Sequence, residues 1–177
     1  MKRIAIIFLI ILIPAICFGQ NKRSLSHFWD IPWGTSMERA EAIFTERGFE
    51  SVREGNSLMT FAPYEGRDAL ILLIFNRANR LYSGNVIYPA DADTVIPLYQ
   101  NFRYVLARRY GAPDTAVEFF ESPFEKGDGR EIEAIATDNA FFFTEWQFQD
   151  NNVASVSILR SLDVCLTFRN PVFADRR

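Results

Sequence analysis

The stretch ALILLIF, residues 69–75, constrains this chain more than any other segment. Flanked by Asp68 and Asn76, as a β-strand it turns hydrocarbon to both sides of a sheet. Such a strand belongs inside its sheet with both faces packed, which calls for helices on one side and a second covering on the other.

The neighbouring segments supply that sheet. SLMTFAP precedes it and RLYSGNVIYP follows it, across the turn-like EG and NRAN, and these connections are too short for helical crossovers. Three consecutive antiparallel strands are therefore expected. Before them, Thr35 stands as an N-cap with Glu38 completing a capping box, and Met37, Ala40, Ile43 and Phe44 form an apolar stripe that stops at Gly48. The spacing predicts a helix over 36–47. A second helix starts after Asp93 or Thr94, tolerates Pro97 in its first turn, and buries Leu98, Phe102, Val105 and Leu106 with Tyr99 beside them. Arg108 and Arg109 suit its last turn, and Gly111 and Pro113 end it.

TAVEFFES, EIEAIAT, NAFFFTEWQFQ, NVASVSILR and DVCLTF then read as further strands, with PFEKGDG as a loop. The expected architecture is α+β: an antiparallel sheet of about seven strands with two helices packed mainly on one face. Residues 28–90 and 91–168 read either as a tandem α-β-β-β repeat or as two independent helix-plus-meander units. A chain of 177 residues fits one domain.

The first residues point to export. Lys2 and Arg3 precede the apolar run of residues 4–19, and polar QNKRS follows, which is the layout of a signal peptide cleaved after Gly19. An uncleaved anchor is the alternative, because the run approaches the length of a membrane helix. Lipid attachment at Cys17 fits poorly with bulky Ile16 directly before the cysteine. Removing residues 1–19 takes away the positive charges Lys2 and Arg3, so a formal −3 becomes −5, a balance that disfavours a nucleic-acid surface. It also leaves Cys165 as the sole cysteine. No internal disulfide can then form, and the apolar setting DVCLTF suits a buried thiol better than a nucleophile.

Catalytic and metal sets are sparse. His27 is the only histidine, which excludes a multi-histidine zinc site, and no G-x-S-x-G elbow is present for a serine triad. EKGDGRE, residues 125–131, lacks the alternating ligands and closing glutamate of a helix-loop-helix calcium site. Gly127 and Gly129 are expected to be followed by neither a lysine-serine pair nor a helix, so no phosphate-binding loop is expected. Glu118, Glu121, Glu131, Glu133 and Glu145 could supply a carboxylate pair, yet strand alternation accounts for them as solvated side chains. No cofactor is implied.

The surplus lies in the aromatics, with 17 phenylalanines, 6 tyrosines and 3 tryptophans. On AFFFTEWQF, Phe142, Trp146 and Phe148 share one strand face while Phe141 and Phe143 take the other. Whichever face the helices leave bare becomes an apolar patch for a partner. Phe142, Trp146 and Phe148, together with Phe28 and Trp29 in the opening FWDIPW, are the candidate interaction surface. Trp33 is assigned instead to packing beneath the first helix.

A helix followed by an antiparallel meander, opened by Trp33-Gly34-Thr35-Ser36 with Glu38 in an exported chain, resembles the small periplasmic or secreted α+β domains of bacteria. In doubled form the pattern is similar to the β-lactamase-inhibitor-like fold and to small outer-membrane assembly lipoproteins with a helix-and-sheet domain. It spans residues 28–168 and implies binding to another protein or an envelope component. The chain departs from it in lacking a lipid-attachment signal and internal disulfides, and no functional residue is carried over. The functional expectation is a non-enzymatic, exported, periplasmic or secreted binding protein. A carrier of a small hydrophobic ligand, needing a closed apolar cavity, and a small hydrolase using carboxylates are the competing readings.

Overall fold

The computed structural model describes residues 24–174, so the expected signal segment and Cys17 lie outside the described residues. The fold is α+β. A short hairpin, β1 (His27–Phe28) and β2 (Ile31–Pro32), leads into α1 (Met37–Glu46) and four strands: β3 (Val52–Glu54), β4 (Ser57–Tyr64), β5 (Arg67–Phe75) and β6 (Leu81–Tyr88). After α2 (Val95–Tyr110) come β7 (Thr115–Phe120), the short α3 (Glu131–Ala136), β8 (Ala140–Gln147), β9 (Val153–Ile158) and β10 (Val164–Arg169).

Strands β3 to β10 make one eight-stranded sheet in the order β3-β4-β5-β6-β10-β9-β8-β7, antiparallel throughout. Each half is thus a helix followed by a four-stranded meander, and the meanders join through their last strands, with Val164 opposite Tyr88 and Phe168 opposite Gly84. Two differences from the expected strand set produce this symmetry. Val52–Glu54 adds an edge strand whose three residues are all exposed and carry no alternation to betray it. EIEAIAT, expected as a strand, is helical: Ala134 and Ile135 are buried, and Arg130 bonds Glu133 one turn on at 3.0 Å, so the period is helical where Ile132 and Ala134 suggest alternation.

Alternation sorts the sheet into two faces. One carries Leu58, Ile71, Leu73, Val86, Leu166, Val156 and Trp146, all buried, and receives the helices. α1 sets Met37, Ala40 and Phe44 into this core. Its cap is Ser36, whose hydroxyl accepts from the Arg39 N–H, while Thr35 donates instead to the Pro32 carbonyl at 2.7 Å. Gly48, at φ 80°, lets the Phe49 N–H reach back to the Phe44 carbonyl at 2.9 Å. α2 buries Val95, Tyr99, Phe102 and Leu106, a stripe rotated from the expected one so that Tyr99 is central and Leu98 and Val105 are half-buried. The Tyr99 hydroxyl explains the rotation, because it reaches Thr144 on β8 at 2.7 Å and so takes its polar tip to a partner within the core.

The N-terminal hairpin lies across the seam of the two meanders. Trp29 and Asp30 form its turn at φ 48° and 62°, the left-handed pair such a two-residue turn demands and that asparagine and glycine usually supply. Its Phe28 ring rests on β6 where the chain has no side chain, for a Cβ at Gly84 would run into the ring. The same ring meets Phe168 of β10 at 5.4 Å and Tyr64 of β4 at 6.1 Å. Arg47 donates to the Trp29 carbonyl at 3.0 Å and holds the strap down.

Gly84→Ala should therefore destabilise the protein by about 2–3 kcal/mol through overpacking, and Phe28→Ala by about 3–5 kcal/mol through cavity formation. In urea denaturation the double variant is expected to lose at least about 1 kcal/mol less than the two single losses added together. Strict additivity would show that ring and glycine do not share this contact.

Candidate interaction surface

Among the described residues, the opposite face of the sheet receives no helix. Register carries one row across seven strands: Phe61, Leu70 and Ile87 at one end, Cys165 and Ser157 in the middle, Phe143 and Val117 at the other. The adjacent row runs Val52, Met59, Leu72, Asn85, Thr167, Ser155, Glu145 and Thr115. Glu145 is the single charge in the two rows. The apolar half of ALILLIF that points this way, Leu70, Leu72 and Ile74, is only half-buried, so the second covering expected for it is absent among the described residues.

The rings are concentrated at the two flanks. Phe61 is 74% exposed, and a shallow apolar depression of about 520 Å³ lies beside it, bounded by Val52, Met59 and Leu70. At the far flank Phe119 and Phe141 stand opposite each other, 55% and 49% exposed, and Phe143 stacks on Phe141 at 5.7 Å. Between the flanks the face is made of small hydrogen-bonding groups: Thr167 donates to Asn85 at 2.9 Å, and the Cys165 thiol lies 3.6 Å from the Thr167 hydroxyl. Cys165 is 7% exposed, and burial pushes its thiol up from the usual cysteine value, the Thr167 contact opposing the shift only in part.

The residues expected to form the surface are placed elsewhere. Phe142, Trp146 and Phe148 are buried on the helix side, because they share the alternation of Thr144, which Tyr99 binds. Phe142 meets Tyr99 edge-on at 5.7 Å, Phe148 meets Tyr110 at 5.0 Å, and the Trp146 indole donates to the Gly111 carbonyl at 2.9 Å. Phe28 is buried at the seam. Trp29 is half-buried between Phe44 and Phe49, with the Arg47 guanidinium 5.0 Å from its ring centre. Phe61 was missed. The signal for it lies in SLMTFAP, where Phe61 alternates against Leu58, Thr60 and Ala62 and so must leave the core once those enter it.

A cleft of about 290 Å³ opens on the helix side between the hairpin, the β4–β5 turn and the end of α2. Phe28 and Phe168 line its floor, and its rim carries His27 with Asp30 at 3.8 Å and Arg109 with Glu65 at 2.7 Å. Desolvation holds the phenols of Tyr64 and Tyr110 above the usual tyrosine value, so both stay protonated in its wall. The cleft is half-open, and Arg109 is paired with Glu65 on its rim.

No family model matches this chain, and neither a curated protein nor a solved structure does.

The burial of Cys165 gives a direct check on the centre of the open face. In a Cys17→Ser chain at pH 8, alkylation of Cys165 should run roughly 100-fold or more slower in the folded protein than in guanidinium, since it requires local opening. Reaction at the rate of a free thiol would move Cys165 to the solvent.

Proposed function

We propose that this is an exported binding protein that docks a protein partner on the bare face of its sheet. The observation that carries the reading is the near-absence of charge along two register rows that end in exposed phenylalanines. A soluble protein rarely leaves such a surface uncovered without a use for it. Aromatic flanks with hydroxyl and amide groups between them are the composition of protein-binding surfaces, where rings anchor and small polar groups adapt. A hydrophobic small molecule asks for enclosure, and both the depression beside Phe61 and the rim of the cleft are open. The resemblance in pattern to exported inhibitor-like and envelope-assembly domains points the same way. Export rests on the layout of residues 1–19.

A photo-crosslinking residue placed at Phe61 or Phe141 in the producing cell should attach to one and the same protein. The same probe at Tyr104, an exposed residue of α2, should not. With that partner purified, Phe61→Asp and Phe141→Asp are each expected to weaken binding by about 30-fold, as loss of an anchoring ring does, while thermal stability changes little. Equal crosslinking from Tyr104, or undiminished binding by both variants, would overturn the reading.

A further inference from the structure

The two edges of the sheet are unlike. β3 is three residues long, carries Arg53 and Glu54, and leaves Pro63 on the outer strand beyond its end, so this edge is blunted by shortness, charge and proline. β7 has six residues in unbroken register with β8, no proline and no lysine, and Ala116, Val117 and Phe119 stand exposed.

Its free backbone groups can be assigned. The Glu121 N–H donates to the Asn139 carbonyl at 2.7 Å, continuing the register that pairs Phe119 with Phe141 and Val117 with Phe143. In an antiparallel ladder that makes the odd-numbered residues of β7 the hydrogen-bonded partners of β8, and turns the N–H and C=O of Ala116, Glu118 and Phe120 outward. The one charge on the strand, Glu118, is already engaged: its carboxylate is 16% exposed and accepts from Arg103 at 3.2 Å, from Gln100 at 3.1 Å and from Lys126.

We propose that the protein forms a two-fold dimer by antiparallel pairing of β7 with β7 of a second copy, with Val117 meeting its own counterpart on the dyad. In this register Ala116 and Glu118 exchange both backbone bonds with Glu118 and Ala116 of the second copy, so every outward group between them is used. Glu118 faces the small Ala116, whereas moving the dyad to Glu118 would set two carboxylates directly opposite each other. Thr115 meets Phe119. The uncharged row ending at Val117 then runs on into the same row of the second copy, which is why a second copy suits this edge better than an unrelated strand. The proposal does not depend on the partner reading of the bare face.

Light scattering on the purified protein at tens of micromolar is expected to give twice the chain mass. Val117→Lys, which sets like charges on the dyad, and Ala116→Pro, which removes an outward N–H while leaving the β8 ladder intact, should each give a monomer. In a Cys17→Ser, Cys165→Ala background, Val117→Cys should form a covalent dimer on mild oxidation, because Cα atoms in a non-hydrogen-bonded antiparallel pair are about 4.5 Å apart, within disulfide reach. Thr115→Cys should crosslink at least about 10-fold less, its copies lying roughly 14 Å apart along the paired strands. A wild-type monomer, a dimer that survives both interface variants, or equal crosslinking by the two cysteine variants would overturn the proposal. Phe61→Asp should remain dimeric, which separates this result from loss of a partner at the bare face.

Discussion

The contact on which the rest of the structure depends is the ring of Phe28 against the bare backbone of Gly84. Within the sheet the two meanders join only where β6 pairs with β10, a six-residue ladder. Phe28 bridges that seam from above, touching β6, β10 and Tyr64 of β4 at once. A side chain at position 84 would lift the ring and with it the hairpin that α1 follows. The left-handed turn at Trp29 and Asp30 fits the same arrangement. Each left-handed residue there costs about 1–2 kcal/mol, offset by a Trp29 ring packed on Phe44 and Phe49 and by the hydrogen bond from Arg47.

Because the strap and the three helices of the described residues lie on one side, the burial of the sheet is lopsided. Leu58, Ile71, Leu73, Val86, Leu166 and Val156 are spent on the core, while Leu70, Leu72, Ile87 and Phe143 on the opposite face are only partly screened by their neighbours. In the middle of that face stand Ser155, Ser157, Asn85 and Thr167, small polar groups of which Thr167 donates to Asn85 at 2.9 Å. Hydrocarbon and rings are left to the flanks, where Phe61, Phe119 and Phe141 stand exposed.

Much of this was legible in the sequence, and the failures have particular physical causes. Capping and period located α1 and α2 to within a residue or two, and meander connections fixed antiparallel pairing. Alternation separated Phe142, Trp146 and Phe148 from Phe141 and Phe143 correctly. It could not say which set meets the helices, because both are large and aromatic; that choice is made by Tyr99, whose hydroxyl needs Thr144. The strand at Val52–Glu54 has no buried face to leave a pattern, and EIEAIAT satisfies period two and a short helix equally well. Trp29 reads as an exposed ring at a turn. Only the tertiary contact with Phe44 and Arg47, both from α1 and its end, draws it inward.

ALILLIF brings these observations together. A strand apolar on both faces implies two coverings, and the described residues supply one. The second requirement does not vanish because the fold leaves it unmet: Leu70 and Leu72 continue into Phe61 and Met59 on β4 and into Ile87 on β6, so the unmet hydrocarbon forms one connected area. The charged cleft on the helix side differs in kind, since Arg109 is already held by Glu65 and His27 lies beside Asp30. A ligand entering there must break pairs before it makes any, whereas a surface laid over Phe61 and Leu70 displaces only water. The hydrophobic term therefore weighs on the bare sheet face, where hydrocarbon meets solvent, and not on the cleft.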